Sequence, residues 1–166
     1  KWNALRPSPE RFDFAEAGAV VAAARAQGAA VHGHCLVWHE AMPDWAPRRP
    51  SAQAARNLLE THIAAVAGRY RETVGSWDVI NEAVERNDKR ADGLRRAMWL
   101  EALGPDYLTA ALDAAHAAAP RAKLAISDYG LEYDRVSWMV EKRGTMLTLL
   151  RDLLSRGAPL HALSIQ

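Results

Sequence analysis

The feature that most constrains the fold of this chain is the regular alternation of strand-like and helix-like segments. Apolar, strand-like runs occur at 29–38, 74–82, 123–129 and 159–166. Helix-forming segments precede and separate them, at 13–27, 51–70, 94–102, 105–118 and 137–156. Strands that are apolar on both faces and are separated by helices pair in parallel, and the helices cover them. The sequence therefore predicts an α/β fold.

Polar residues at the strand ends distinguish between the two common α/β architectures. No glycine-rich phosphate loop follows any of the strands, which argues against a doubly wound nucleotide-binding fold. Each strand instead leads to residues that can bind or react: Trp38-His39, Asn81-Glu82, Asp128-Tyr129 and Gln166. Chemistry at the carboxyl ends of successive strands is typical of a (β/α)₈ barrel. We predict an incomplete TIM barrel.

Length and composition limit the remaining possibilities. The 166 residues suit one globular domain, and we predict a single domain over 1–166. The formal net charge of +1 argues against nucleic acid or an anionic membrane as the main partner, because both favour a clustered excess of Lys and Arg. The one cysteine, Cys35, cannot form an internal disulfide. No run approaches the ~20 apolar residues that span a bilayer, and no signal peptide is present, which means little in a chain without an initiator Met.

Glu82 is the strongest catalytic candidate in the sequence. It is a carboxylate at the end of a predicted strand, beside Asn81, where a barrel holds its catalytic groups. Glycoside hydrolysis needs one protonated carboxylic acid that donates to the leaving oxygen. Burial and a second carboxylate nearby both favour a protonated acid. Taken alone, a surface glutamate at the start of a loop would explain the same residues.

The histidine-rich strand supplies the second signal. In VHGHCLVWH, at 31–39, alternation puts His34 and Trp38 on one face, and His39 lies just beyond the strand end. An indole beside an imidazole suits a sugar, because the aromatic face is apolar and the nitrogens can bind hydroxyl groups. The alternative is a buried pair that only fills the core.

Other chemically capable residues have structural interpretations. Asp78, four residues before Glu82 and on its face by alternation, is either an acceptor that orients a histidine or a paired structural carboxylate. Three histidines lie in helices or at the start of a strand and are expected to be structural: His62, His116 and His161. Four tryptophans are expected to be core residues or loop anchors: Trp45, Trp77, Trp99 and Trp138.

Two other classes of function follow from the residues alone. His32-x-His34 imitates the ligand pair of a metal-dependent hydrolase, although the later strand ends offer no further histidine. A non-catalytic carbohydrate-binding barrel would keep the sugar platform without the chemistry. The presence of Glu82 argues against this second class.

Four ordered segments carry a resemblance to a known family. They are GHCLVWH (33–39), WDVINEA (77–83), SDYGLEYD (127–134) and HALSIQ (161–166). In this order and spacing they resemble the signature segments of the family-ten glycoside hydrolases, which are endo-β-1,4-xylanases. Lys1-Trp2 also resembles the end of an early strand motif of that family, so the resemblance covers essentially the whole chain.

The resemblance implies a role for each matching residue. Glu82 would be the general acid/base, and Asn81 would contact the 2-hydroxyl group of the sugar beside the cleaved bond. Tyr129 would be an aromatic on the leaving-group side. Five residues would line the glycone side: Lys1, His34, Trp38, His39 and Gln166. The family implies a retaining mechanism on xylan without metal or organic cofactor, in a monomer that is secreted or periplasmic.

Three departures from the family pattern affect these expectations. Ser127 to Gly130 read Ser-Asp-Tyr-Gly where the family commonly has Asn-Asp-Tyr-Asn, which leaves the leaving-group contacts in question. Ala41 stands where a glutamine often supplies a distal hydrogen bond. By the resemblance, the chain runs from the end of the second strand into the sixth, so the nucleophilic glutamate of the seventh strand would lie outside it.

Overall fold

The computed structural model describes all residues, 1–166, as one parallel sheet with helices between its strands. The strands are β1 (His32–Val37), β2 (Ser76–Asn81), β3 (Lys123–Asp128) and β4 (Ala162–Ile165). The helices are α1 (Trp2–Leu5), α2 (Ala15–Ala26), α3 (Ala52–Arg69), α4 (Met98–Leu103), α5 (Tyr107–Ala118) and α6 (Ser137–Ser155). The four predicted strands and five predicted helices are all present, with ends that shift by up to four residues, and the short α1 is an addition. None of the helices is long and apolar enough to cross a membrane.

The order of the strands identifies the architecture. The sheet runs β1-β2-β3-β4, and each strand is parallel to the one before it. A doubly wound sheet reverses its strand order at a switch point, whereas a barrel adds each strand beside the previous one. The chain therefore forms an arc of a (β/α)₈ barrel, as the sequence predicts.

One face of the sheet packs against the helices. Ser51 caps α3, because its hydroxyl accepts a hydrogen bond from the backbone N–H of Ala54 (3.2 Å). Leu59, Ile63 and Val66 recur at helical spacing on the buried side of that helix. Helix α3 contacts α5 and β1, and α5 contacts β2 and β3. These layers enclose a cluster of 30 buried residues, which is the hydrophobic core.

The core also contains a buried histidine. His62 stacks on Trp2 with ring centroids 3.6 Å apart and planes 9° from parallel. Burial lowers the pKa of His62 to about 3, and the nearby Arg6 adds to this effect. The imidazole is therefore neutral across the physiological pH range and packs as an aromatic ring. This agrees with the structural interpretation of His62.

The register of β2 corrects one prediction. Asp78 pairs with Ala125, and Asn81 pairs with Ser127. Ala125 and Ser127 are two residues apart and face the same way, so Asp78 and Asn81 also share a face although three residues separate them. An irregularity between Asp78 and Ile80 inserts the extra residue. Alternation from Asp78 therefore does not reach Glu82, and the argument that put these two residues on one face fails at the bulge.

Candidate active site

Glu82 occupies a strained position immediately after β2. Its backbone has φ 57°, in the left-handed region that few non-glycine residues adopt. Two hydrogen bonds hold this conformation: the Glu82 N–H donates to the carbonyl of Ser127 (2.8 Å), and Arg95 Nε donates to the Glu82 carbonyl (2.7 Å). A conformation that costs on the order of 1–3 kcal/mol persists where its surroundings impose it. Strand pairing and Arg95 together set the direction in which the Glu82 side chain leaves the sheet.

Arg95 is a functional candidate that sequence reasoning missed. One of its guanidinium nitrogens, Nη2, lies 3.6 Å from Glu82 Oε2 and 3.3 Å from Glu85 Oε2, so it stands between two carboxylates. Burial alone would lower the pKa of Arg95, but Tyr129, Glu85 and Glu82 outweigh it and raise the pKa. The cation is therefore permanent. Arg95 lies in a polar stretch thirteen residues after Glu82, and nothing in the sequence indicates that the two residues are in contact.

Asn81 lies at the centre of a polar group on the inner face. Its carboxamide is 2.6 Å from Ser127 Oγ and 2.8 Å from Gln166 Nε2. Two orientations of the amide are possible. In one, Nδ2 donates to Glu82 Oε1 (3.4 Å); in the other, the oxygen accepts from Trp38 Nε1 (3.2 Å). In both, Asn81 joins the end of β2 to β3 and Gln166, and it stands beside Glu82 and Trp38.

Asp78 organises the two histidines of β1. Its Oδ2 atom accepts from His34 Nδ1 (2.8 Å) and His32 Nε2 (2.9 Å), and its Oδ1 atom accepts from Ser164 Oγ (2.6 Å). Burial raises the pKa of Asp78, but the hydrogen bonds from Ser164, His32 and His34 outweigh it and hold the pKa below its usual value. Asp78 is therefore both buried and paired, and it orients the histidines. His34 keeps its Nε2 atom available to a sugar hydroxyl.

Trp38 forms the aromatic part of the site. Its ring centroid lies 6.5 Å from that of His34 and 6.2 Å from that of His39. Lys1 Nζ lies 4.2 Å from the Trp38 ring centroid, in a cation–π contact. His39 has a buried Nδ1 atom without a partner, and burial, with Arg95, lowers the pKa of His39. His34 and Trp38 are both only partly buried, which agrees with the predicted shared face and differs from a filled core.

Asp128 is fully buried and is engaged in an ion pair. Lys142 Nζ donates to Asp128 Oδ1 (2.6 Å), and the N–H groups of Val84 and Tyr129 also donate to this carboxylate. Burial raises the pKa of Asp128, and the three donors oppose that rise. Tyr129 lies beside the pair, with Lys142 Nζ 3.4 Å from its ring centroid. Asp128 therefore has a structural role, which the sequence did not reveal because Lys142 is fourteen residues away on α6.

The structure divides the predicted site residues into two groups. One group surrounds Glu82 on the inner face: Asn81, Trp38, His39, Gln166, Lys1 and His34. Tyr129 lies outside this group. Its hydroxyl donates to Glu85 (3.3 Å), and Arg95 connects Glu85 to Glu82. No group of three or more His, Cys, Asp or Glu side chains is arranged to hold a metal ion.

A strand-end glutamate, an amide partner and an aromatic platform on a barrel define a candidate glycosidase site. The chain belongs to glycosyl hydrolase family 10, whose model matches residues 1–166. It is 39% identical to endo-1,4-beta-xylanase B of Paenibacillus barcinonensis, over 100% of this chain and 49% of that protein. It is 37% identical to a beta-1,4-xylanase of Dictyoglomus thermophilum, over 100% of this chain and 45% of that protein.

Solved structures agree with the sequence relatives. Native xylanase 10B from Thermotoga maritima superposes with a TM-score of 0.90 at 31% identity, over 100% of this chain and 49% of that one. Xylanase 10B from Thermotoga petrophila in complex with xylobiose superposes equally well, at 30% identity, over 100% of this chain and 48% of that one. The chain thus spans about half the length of the relatives that it matches.

Proposed function

We propose that the complete protein is an endo-acting, retaining glycoside hydrolase that cleaves internal β-1,4-xylosidic bonds of xylan. Glu82 is its proton donor. The observation that carries the proposal is the placement of Glu82: a backbone held in a strained conformation at a strand end, with Asn81 and Trp38 beside it. The xylanases similar to this chain support the choice of substrate, and they give no support to a metal-dependent or non-catalytic alternative.

The proposed mechanism assigns the inner-face group to the glycone. A sugar ring stacks on Trp38, while Lys1, His34, His39 and Gln166 bind its hydroxyl groups and Asn81 holds the 2-hydroxyl group. Glu82 donates a proton to the leaving oxygen and then, as a carboxylate, removes one from the attacking water. A second carboxylate about 5–5.5 Å away would form the glycosyl intermediate. By the family resemblance it follows the seventh strand.

Replacing Glu82 tests the proposal in the complete enzyme. Glu82→Ala should depress hydrolysis of xylan severely, because the sugar leaving group needs a proton. Activity on an activated aryl xyloside should suffer less, because a nitrophenolate leaves without one. Azide should rescue the second step, since it attacks without a general base. Glu82→Gln keeps the size of the side chain and should give the same pattern.

Two results would contradict this assignment. Equal losses on xylan and on the aryl xyloside, without azide rescue, would mean that Glu82 is not the acid/base. Unchanged activity of Glu82→Gln on xylan would mean the same. Glu60→Ala, a change at an exposed glutamate of α3, is the control and should leave both activities intact.

We also propose that the complete enzyme acts as a monomer outside the cytoplasm, in the medium or the periplasm. The support for the location is that polymeric xylan is too large to cross a membrane before it is cut. The support for a monomer is the resemblance to the family. Fractionation of producing cells and size-exclusion chromatography of the purified enzyme test both parts. Activity confined to the cytoplasm would contradict the first part, and a stable dimer would contradict the second.

A further inference from the structure

A second cleft is lined by Glu85, which Arg95 links to Glu82. Its volume is about 400 Å³, which lies within the range of small-molecule sites. Its walls combine two aromatic rings with charged and amide groups: Tyr129, Trp138, Glu85, Arg86, Asn87 and Lys142. None of these residues belongs to the group around Trp38. Polar side chains beside exposed aromatic rings are the combination that binds carbohydrate.

Trp138, near the start of α6, leaves part of its indole open to solvent. The residue is 37% exposed, although the sequence predicts a structural role for it. The six-membered ring packs against the backbone of Gly130. A Cβ atom on Gly130 would lie 2.4 Å from Trp138 Cζ3 and 2.5 Å from Cη2, too close for the ring to stay. The glycine that departs from the family pattern is therefore what lets the indole reach this position.

Tyr129 is fixed in the same cleft by charged neighbours. Lys142 Nζ covers the ring at 3.4 Å, and the Tyr129 hydroxyl donates to Glu85 Oε2 (3.3 Å). Lys142 is itself held by the buried Asp128 (2.6 Å). Because these contacts exist before any ligand arrives, little side-chain entropy remains to be lost on binding.

The cleft is connected to the candidate acid by a single cation. Arg95 Nη2 touches Glu85 in the cleft wall (3.3 Å) and Glu82 at the reacting centre (3.6 Å). A polysaccharide chain that passes Glu82 with one sugar on Trp38 continues on the other side of that carboxylate. Because Arg95 joins the wall of this cleft to Glu82, the cleft is the aromatic-lined surface that such a chain would meet next.

We propose that Trp138, seated on Gly130, is the stacking platform of a leaving-group subsite in this cleft. Its ligand is a pyranose unit of a β-1,4-linked glycan, with Glu85, Arg86 and Asn87 within reach of the sugar hydroxyl groups. Trp138 is thereby a specificity-determining residue. This inference rests on the proposed function, because it assigns the cleft to the same substrate chain.

The test uses the complete enzyme and xylohexaose, with the initial products recorded. Trp138→Ala should lower kcat/KM about tenfold, the size of one lost stacking contact, mainly by raising KM. It should also move cleavage away from bonds that place sugars in the cleft. Trp138→Phe keeps a ring and should recover most of the loss. Gly130→Asn tolerates the positive φ of 68° but displaces the indole, and it should reproduce Trp138→Ala.

The matched control is Tyr133→Ala, which removes a 61% exposed aromatic outside the cleft and should leave rate and products unchanged. Thermal melts of all variants check that each is folded. If wild type cuts xylohexaose and Trp138→Ala matches it within twofold in rate and products, the subsite is refuted and the proposed function stands. Equal effects of Tyr133→Ala and Trp138→Ala would also refute it. A wild type without activity on any β-1,4-glycan would refute the proposed function itself.

Discussion

The buried ion pair between Lys142 and Asp128 should be essential for stability. Both side chains are almost completely buried and their charged atoms are 2.6 Å apart. At an effective dielectric constant of about 20, that distance gives a gross attraction of roughly 6 kcal/mol. Lys142→Met keeps the aliphatic stem but leaves a buried carboxylate without its cation. We expect the complete enzyme to lose about 3–5 kcal/mol of its free energy of unfolding at pH 7, measured by urea denaturation.

The pH dependence of that loss separates the charge effect from lost packing. Without the cation, the pKa of Asp128 in the folded state lies still further above its unfolded value. The folded variant then binds a proton more readily than the unfolded chain, so lower pH relieves the penalty. The deficit should shrink as pH falls through the folded pKa and be smallest near the unfolded value of about 3.9. Lys123→Met, at an exposed lysine, is the control and should stay within about 0.5 kcal/mol of wild type. A deficit under about 1 kcal/mol at pH 7, or one that does not change with pH, would refute this reasoning.

Two further predictions concern the sugar platform and the isolated segment. In the complete enzyme, Trp38→Ala should weaken transition-state stabilisation on xylan by about 1–3 kcal/mol, measured from kcat/KM, because stacking is lost and hydrogen-bond donors are left unpaired. A change in kcat/KM below twofold in a folded variant would mean that Trp38 is a core residue. The segment 1–166 expressed alone should release no reducing sugar from xylan, because it holds no carboxylate across from Glu82. It should also aggregate or melt without cooperativity, because β1 and β4 are open edges of the sheet. A cooperative monomeric melt with measurable turnover would contradict both halves.

The fold was predictable because its signals are local. Apolar runs and helix-forming segments alternate at the lengths that strands and helices need, and the polar residues at strand ends indicated which edge carries the chemistry. His34 and Trp38 lie side by side as alternation predicts, with ring centroids 6.5 Å apart, although β1 also has an irregularity between His34 and Val37. A single extra residue in β2 was enough to defeat the same argument for Asp78 and Glu82. Bulges carry no dependable sequence signal, because they are set by how neighbouring strands pair.

The parts of the site that sequence reasoning missed are contacts between distant segments. Arg95 reaches Glu82 from a loop, and Lys142 reaches Asp128 from a helix. Both are ordinary basic residues in polar stretches, and their burial is the result of tertiary packing. Trp138 was missed for a related reason, since its exposure depends on the missing side chain of Gly130. Gly130 was recognised as a departure from the family motif, but Trp138, which packs against it, lies eight residues further along the chain.

The consecutive strand order also describes a route by which the barrel can assemble. Cross-strand contacts recur at nearly constant separation: 44 residues from His34 to Asp78, 46 from Asn81 to Ser127, and 37 from Leu124 to His161. Each new strand therefore closes a loop of similar length, and the entropy of closure does not grow from one step to the next. Strands can dock in the order in which a ribosome releases them, each on an edge that the previous unit has just formed.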